Sequence, residues 1–492
     1  MSRRLAWVLA LLAIPPLVLG LRWFSFLPSV MDWDESLYLL QAREWARGVW
    51  PLSGVWDMHP VGAPAMILIA FTILGESITT VRLLGAICVM ATCYALIALV
   101  RAAGGPRSLG LGAALLYAGH SVLLGGLTTN TEILFAPMVV GAFALALWRG
   151  PEWPRLLGMG VLIGLALTIK PVVTPEGCLA FALLAWPTLQ ARRWGRLLAM
   201  AGAYLILCLL PTLLVAGLYA LRGEFADWLE SSILAPFQYA SEGAPAEVVR
   251  HRVSLILLEM HWLFVLPIPA LLLLRHLSPV MRHLTWFGLA WLAVAVLAVA
   301  VPGHYFDHYF LILLPPLVLL SALGIFGAAA HAAPVRGQWL AGGVVVAMVL
   351  NPFLLDLRKR IMPGFHLGQP DAPTRIADAI RAEMRPGDVV FVANSQPVIY
   401  FLTGSPLPTR FPFPAHLTGP FGDLVGVNMD AELARVLATR PRFIVQDVQH
   451  WYGVRPEARA LITASLDAEY EPMAPFDNPH GAVVIHRLRE GN

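Results

Sequence analysis

The chain is short of charge. Only 13% of its 492 residues are Asp, Glu, Lys or Arg, while 58% are hydrophobic; soluble domains carry roughly 25% charged residues. That shortage excludes an ordinary soluble protein and describes a polytopic membrane protein with one soluble appendage. The net charge of +3 is small and no basic stripe occurs, so nucleic acid is not expected as a partner. Cysteine is scarce as well. Cys88, Cys93, Cys178 and Cys208 all lie in apolar runs, where cysteine acts as a small hydrophobe. Their spacing offers neither a disulfide framework nor a metal-ligand set. The more polar C-terminal part lacks both G-x-G-x-x-G and a P-loop, so nothing there supports nucleotide binding. No internal repeat stands out, which weakens a transporter built on inverted repeats.

What the chain has in abundance is apolar runs. They fall near 5–27, 60–75, 79–100, 108–127, 131–148, 156–172, 174–190, 197–221, 253–274, 284–301, 309–330 and 338–355. A spanning helix takes ~20 apolar residues. Ser2-Arg3-Arg4 and the run that follows read as an uncleaved first span, since no A-x-A-like cleavage site comes after it. The short run 60–75 carries Pro60, Gly62 and Pro64. If it lies in the interface, Arg3/Arg4, Arg101/Arg107, Arg149/Arg155, Arg192/Arg193/Arg196, Arg275/Arg282 and Arg336 fall on the side of the N-terminus. The connections near 128–130 and 302–308 then hold no Lys or Arg. That is the positive-inside distribution. It predicts about 11 spans, a cytoplasmic N-terminus, a membrane core over 1–355 and an external domain over 356–492.

In that C-terminal domain, Asp371-Ala-Pro-Thr374 opens a helix running to Met384. Strands are expected at 388–393, 442–447 and 482–488, with helices at 396–402 and 431–439. Alternating helices and strands make this a small α/β domain.

With this topology the polar residues of the core converge on the outer face. Residues 28–78 hold Asp32, Asp34, Glu35, Tyr38, Arg43, Asp57 and His59, with Arg82 at the exit. The next outer segments hold Asn130-Thr-Glu132, then Lys170 and Glu176, then 222–252, then His304-Tyr-Phe-Asp-His-Tyr309. Carboxylates just past a span are costly unless they have a task, and an acidic pair at the membrane boundary suits chemistry on a lipid-bound substrate. Lys170 lies within an apolar run, where an ammonium needs a partner: either Glu176 or another carboxylate, or a phosphate. His304 and His308 read as interfacial anchors, and Trp228, Phe237 and Tyr239 as a membrane-interface belt.

These residues resemble a family. Trp33-Asp-Glu-Ser-Leu-Tyr38, with Ala42-Arg43-Glu44 and Gly48 behind it, is similar to the first-loop motif of GT-C glycosyltransferases. The nearest group is the dolichyl-phosphate-mannose-protein mannosyltransferase-like families 39 and 83, with the aminoarabinose and rhizobial galacturonic acid transferases of lipid A. Asp57-Met-His59-Pro60 resembles the D-x-H/K-P-P segment, and Val81-Arg82-Leu83 its arginine stretch. Thr129–Phe135 resembles the second-loop acidic motif, with Glu132 where Asp is common. Thr168-Ile-Lys170-Pro171 resembles the T-K-G/P turn, and His308-Tyr309 before Leu314-Pro-Pro316 the late H-Y motif. The likeness runs through residues 1–330 in order. The aminoarabinose-type enzymes have Glu-Lys where this chain has Met58-His59, which removes one carboxylate ligand of their metal.

The resemblance implies a GT-C-type helical membrane fold in a bacterial inner membrane, with the C-terminal domain periplasmic or extracellular. It implies an inverting glycosyltransferase that moves a sugar from a polyprenyl-phosphate donor to an envelope glycan, lipid A or protein. Asp34, Glu35 and Glu132 are then the candidate catalytic carboxylates. Lys170, Arg82 and His59 are the candidate cations for the donor phosphate, and Asp57 with His59 the candidate ligands for a divalent metal cation. The alternative is a flippase for a lipid-linked sugar, which calls for charges spread through the spans.

Overall fold

The computed structural model describes residues 2–333, 336–361, 368–422, 426–478 and 481–490. The chain divides into two compact units. One comprises 1–24, 82–218 and 240–362; the other comprises 25–81, 219–239 and 363–492.

The first unit is a bundle of apolar helices. Among the described residues of the whole chain, seven helical segments are long and apolar enough to cross a membrane: Arg4–Leu21, Ile78–Ala102, Pro171–Gln190, Trp194–Leu221, Pro279–Ala300, Asp307–Ala332 and Gly337–Arg358. An eighth is formed if Ala246–Glu259 and His261–Leu272, bent by 78°, count as one span. The expected count of about 11 therefore includes runs that fold as shorter helices: Arg107–His120, Thr131–Leu147 and Glu152–Leu167. The second member of the 246–272 pair packs on glycine. A Cβ on Gly324 would lie 1.9 Å from the Leu266 carbonyl oxygen, so only glycine admits that close approach. Asp307–Ala332 is almost wholly buried in protein, whereas Trp194–Leu221 exposes most of its length. Apolar exposure on that scale fits a lipid-facing helix.

Exposed tryptophans cluster at helix ends in this unit. Trp148 and Trp153 flank one inter-helix turn, Trp186 and Trp194 flank the next, and Trp286 and Trp339 stand near the starts of later helices. Amphipathic rings placed this way belong at a membrane–water boundary. The belt expected at Trp228 and Tyr239 is not there. Both are buried, Tyr239 against the ring of Phe421, and only Phe237 is exposed. Hydropathy cannot tell an aromatic that meets lipid from one that meets protein.

In the second unit, β1 (Val390–Val392) runs parallel to β2 (Phe443–Asp447), with Val390 opposite Phe443. β5 (Gly481–Leu488) lies antiparallel to β2, and both β3 (Tyr470–Pro472) and β4 (Phe476–Asn478) pair with β5. The helices Ala372–Glu383, Val398–Thr403 and Met429–Ala438 stand where the pattern placed them. The Asp371 side chain caps the first, accepting from the Thr374 amide at 3.2 Å. Helix Pro456–Glu469 and the short strands β3 and β4 were not expected. Ile376, Ile380, Ile399 and Tyr400 pack with the sheet residues Val390, Val392, Phe443, Val445, Val483 and Ile485. Leu40 of helix Trp33–Ala46 enters the same core, so the acidic motif at the start of that helix is mounted on the C-terminal fold.

Candidate active site

The acidic motif forms the first turn of helix Trp33–Ala46. Asp32 is its N-cap, accepting from the Asp34 amide at 3.0 Å. Asp34 and Glu35 follow in the first turn, where the helix dipole favours negative charge. Their exposures differ: Asp34 is half-buried and Glu35 buried. Glu35 lines a narrow crevice with Ser29, Ser36 and Val398. The helix is fixed by Arg43, which is buried and donates to the carbonyls of Tyr400 (2.7 Å) and Ser405 (3.4 Å) and to Glu44 (2.8 Å). A guanidinium that binds three acceptors sets the helix register against the C-terminal domain.

Asp57 and His59 meet in the same unit. His59 Nδ1 lies 3.1 Å from Asp57 Oδ2, and the Met58 amide donates to Asp57 Oδ1 at 2.7 Å. Burial raises the Asp57 carboxyl, but the His59 charge and hydrogen bond, with smaller help from His416 and Met58, outweigh it and hold the group below the ordinary range. His416 packs edge-on to Trp56, ring centroids 4.7 Å apart, and full burial pushes it down to about 4. Tyr38 stands edge-on to His59 at 6.0 Å. Among the described residues no three His, Cys, Asp or Glu side chains are grouped to hold a metal ion. Catalytic zinc sites use three protein ligands, and Asp57 with His59 supplies two.

The helical unit holds the second group. Glu132 lies in the first turn of Thr131–Leu147. Lys170 Nζ donates to its Oε1 at 2.6 Å, and Thr131 Oγ1 donates to its Oε2 at 2.9 Å. The same ammonium stands 4.2 Å over the Tyr309 ring, a cation–π contact. The partner of Lys170 is therefore Glu132. Glu176 is instead bound by Trp291 Nε1 at 2.6 Å. Next to Glu132, the buried Asn130 side chain has neither polar atom hydrogen-bonded among the described residues. Arg82 is fully buried in Ile78–Ala102. His304, Phe306 and His308 form a row of near-parallel rings, with Arg252 4.2 Å over Phe306. His308 is half-buried in that row and His304 buried.

Arg22 was missed by the sequence reading. It is fully buried and donates to the carbonyls of Gly126 (2.6 Å) and Leu127 (3.0 Å). Those carbonyls belong to the turn that leads into Asn130–Glu132. A single arginine at the end of a long apolar run was the available signal, because such a charge must find acceptors.

Residues 58–219 match the protein family described as dolichyl-phosphate-mannose-protein mannosyltransferase. No curated protein matches the sequence. Among solved structures, the chain is similar to ArnT from Cupriavidus metallidurans, both bound to undecaprenyl phosphate and in the apo state. Each comparison gives 15% identity, covers 98% of both chains and has a TM-score of 0.63. It is also similar to the arabinofuranosyltransferase AftD from Mycobacteria, at 15% identity and a TM-score of 0.50, covering 100% of this chain and 42% of that one. The chain is a multi-pass helical membrane protein with the fold of the GT-C glycosyltransferases, and it carries a small C-terminal sheet region.

Proposed function

We propose that this protein transfers a sugar from a polyprenyl-phosphate carrier to an envelope glycan, lipid A or protein, with inversion at the anomeric carbon. The observation that carries the reading is the placement of Asp34: half-buried at a capped helix start, in a chain with this fold. The ArnT structure with bound undecaprenyl phosphate supports a donor of that class.

In this mechanism an acceptor hydroxyl or amine attacks the anomeric carbon and its proton passes to the Asp34 carboxylate. A positioned base contributes about 10²–10⁴-fold. Glu35, buried beside it, orients the acceptor. The bond to the polyprenyl phosphate breaks, and the leaving phosphate gathers charge that cations must meet. Lys170, Arg82 and His59 are assigned to that task. Glu132 takes a supporting role, because its carboxylate is already engaged by Lys170 and Thr131. Asp57 holds His59 by Nδ1, which fixes the orientation of the ring.

The orientation we infer is a cytoplasmic N-terminus and an external C-terminal domain, in a bacterial inner membrane. A reporter active only in the cytoplasm and fused after Asn492 is then silent; a signal there overturns the orientation. Mass spectrometry of lipid A, envelope glycans and secreted proteins, with and without the gene, tests the reaction. Loss of one sugar from one of these acceptors is expected. Identical profiles in all three, from cells shown to make the protein, contradict the reading.

A further inference from the structure

At one end of the C-terminal sheet is an open basin of about 600 Å³ lined, among the described residues, by charged side chains. Two arginines dominate it. Arg385 and Arg442 both donate through Nη2 to a single carboxylate oxygen, Glu490 Oε1, at 3.0 and 2.9 Å. Arg442 is tied to the fold through its guanidinium, and Arg385 through its backbone alone, its side chain being 71% exposed. Arg385 follows helix Ala372–Glu383, and its backbone amide is bound by Asp388 at 2.8 Å. Arg442 precedes β2 and spends Nη1 on the Leu488 carbonyl. Their occupant is not fixed. Glu490 lies beyond the end of β5, outside the ladder, and its side chain is 65% exposed. Hydrogen bonding from Arg442 and the charge of Arg385 hold its carboxyl below the ordinary range. Two guanidinium groups converging on one oxyanion make a recognition element for carboxylate or phosphate. Exposed ion pairs of this kind contribute little, so another oxyanion can displace the tethered one.

We propose that Arg385 and Arg442 form an oxyanion clamp, self-occupied by Glu490, that takes the carboxylate or phosphate of an acidic saccharide. The rest of the basin argues for a saccharide. Arg487 is bridged between Glu383 and Glu471, whose carboxylates keep further acceptor sites, and Arg489, which donates to the Ala468 carbonyl, stands at the rim; sugar hydroxyls both donate and accept. Among the described residues no apolar side chain lines the basin, so there a lipid tail finds nothing to bury against. As a docking site for the acceptor, the clamp rests on the transfer reaction proposed above. As an oxyanion site it does not, and its test involves no turnover.

The full-length protein in detergent is titrated with glucuronate, glucose 1-phosphate and glucose, and binding is followed by calorimetry. Glucuronate, glucose 1-phosphate or both bind, and glucose does not; the arm that binds identifies the oxyanion. Glu490→Gln tightens that binding by about fivefold, the worth of an exposed pair. Arg385→Gln weakens it by about tenfold or more, through loss of a charge-assisted hydrogen bond. Arg385 is 71% exposed, so this variant keeps its fold, and an unchanged melting temperature confirms it. Equal binding of glucose, or no response to either substitution, overturns the clamp. If the clamp binds while sugar transfer fails, the site stands and the acceptor reading falls.

Discussion

Lys170 donates to Glu132 across 2.6 Å, and both side chains are buried. The two motifs that carry them are 38 residues apart and meet as one ion pair, with Thr131 on the second carboxylate oxygen and Tyr309 under the ammonium. Breaking a buried pair from one side costs about 3–5 kcal/mol, because the remaining charge is stranded; replacing both partners costs far less. Glu132→Gln and Lys170→Met should each lower the melting temperature in detergent, and the double variant should recover part of the loss. Strictly additive losses would show that the two side chains do not act as a pair. Lys170→Met should also raise the donor concentration needed for half-maximal transfer.

Arg22 should behave as a positioning residue. Hydrogen bonds from a charged donor are worth about 1.5–3 kcal/mol each, and Arg22 places two on the Gly126–Leu127 turn. Arg22→Met should reduce turnover by releasing the segment that presents Glu132, and Arg22→Lys should restore part of it. If Met and Lys variants of equal thermal stability have the same reduced turnover, the effect is structural and the assignment fails.

The acid response of the second unit should centre on His416. The unfolded chain takes up this proton near pH 6.5, the folded protein only near 4. Between those values the unfolded state binds more protons, so stability falls as pH drops through the window, by about 3 kcal/mol in total. His416→Phe keeps a ring against Trp56 and removes the titration. Its melting temperature should change less between pH 7 and pH 5 than that of the parent protein. Parallel pH dependences would contradict the assignment.

Much of this was legible in the sequence, for physical reasons that differ by residue. Asp371 announced a helix because an Asp three residues before Thr374 can cap it, and it does. Lys170 announced a partner because an ammonium in an apolar run needs one, although the sequence left open Glu176, another carboxylate or a phosphate. Arg43 gave no hint of its role: its acceptors are backbone carbonyls some 360 positions away, which have no sequence signature. His416 was passed over for the same reason, since its neighbour Trp56 lies far away in the chain. Trp228 and Tyr239 were misplaced because an aromatic residue carries the same hydropathy against lipid and against Phe421. The three-residue strands β3 and β4 are too short to show a period.

Asp34 carries the central claim, and one substitution tests it. Asn keeps the shape and the polar contacts of Asp but cannot accept a proton at neutral pH. Sugar transfer by purified Asp34→Asn should be measured from a polyprenyl-phosphate-sugar donor, beside the parent protein and at matched melting temperature. The account predicts a loss of about 10²–10⁴-fold in turnover with little change in thermal stability. Transfer at a rate near that of the parent would contradict it and remove Asp34 as the base.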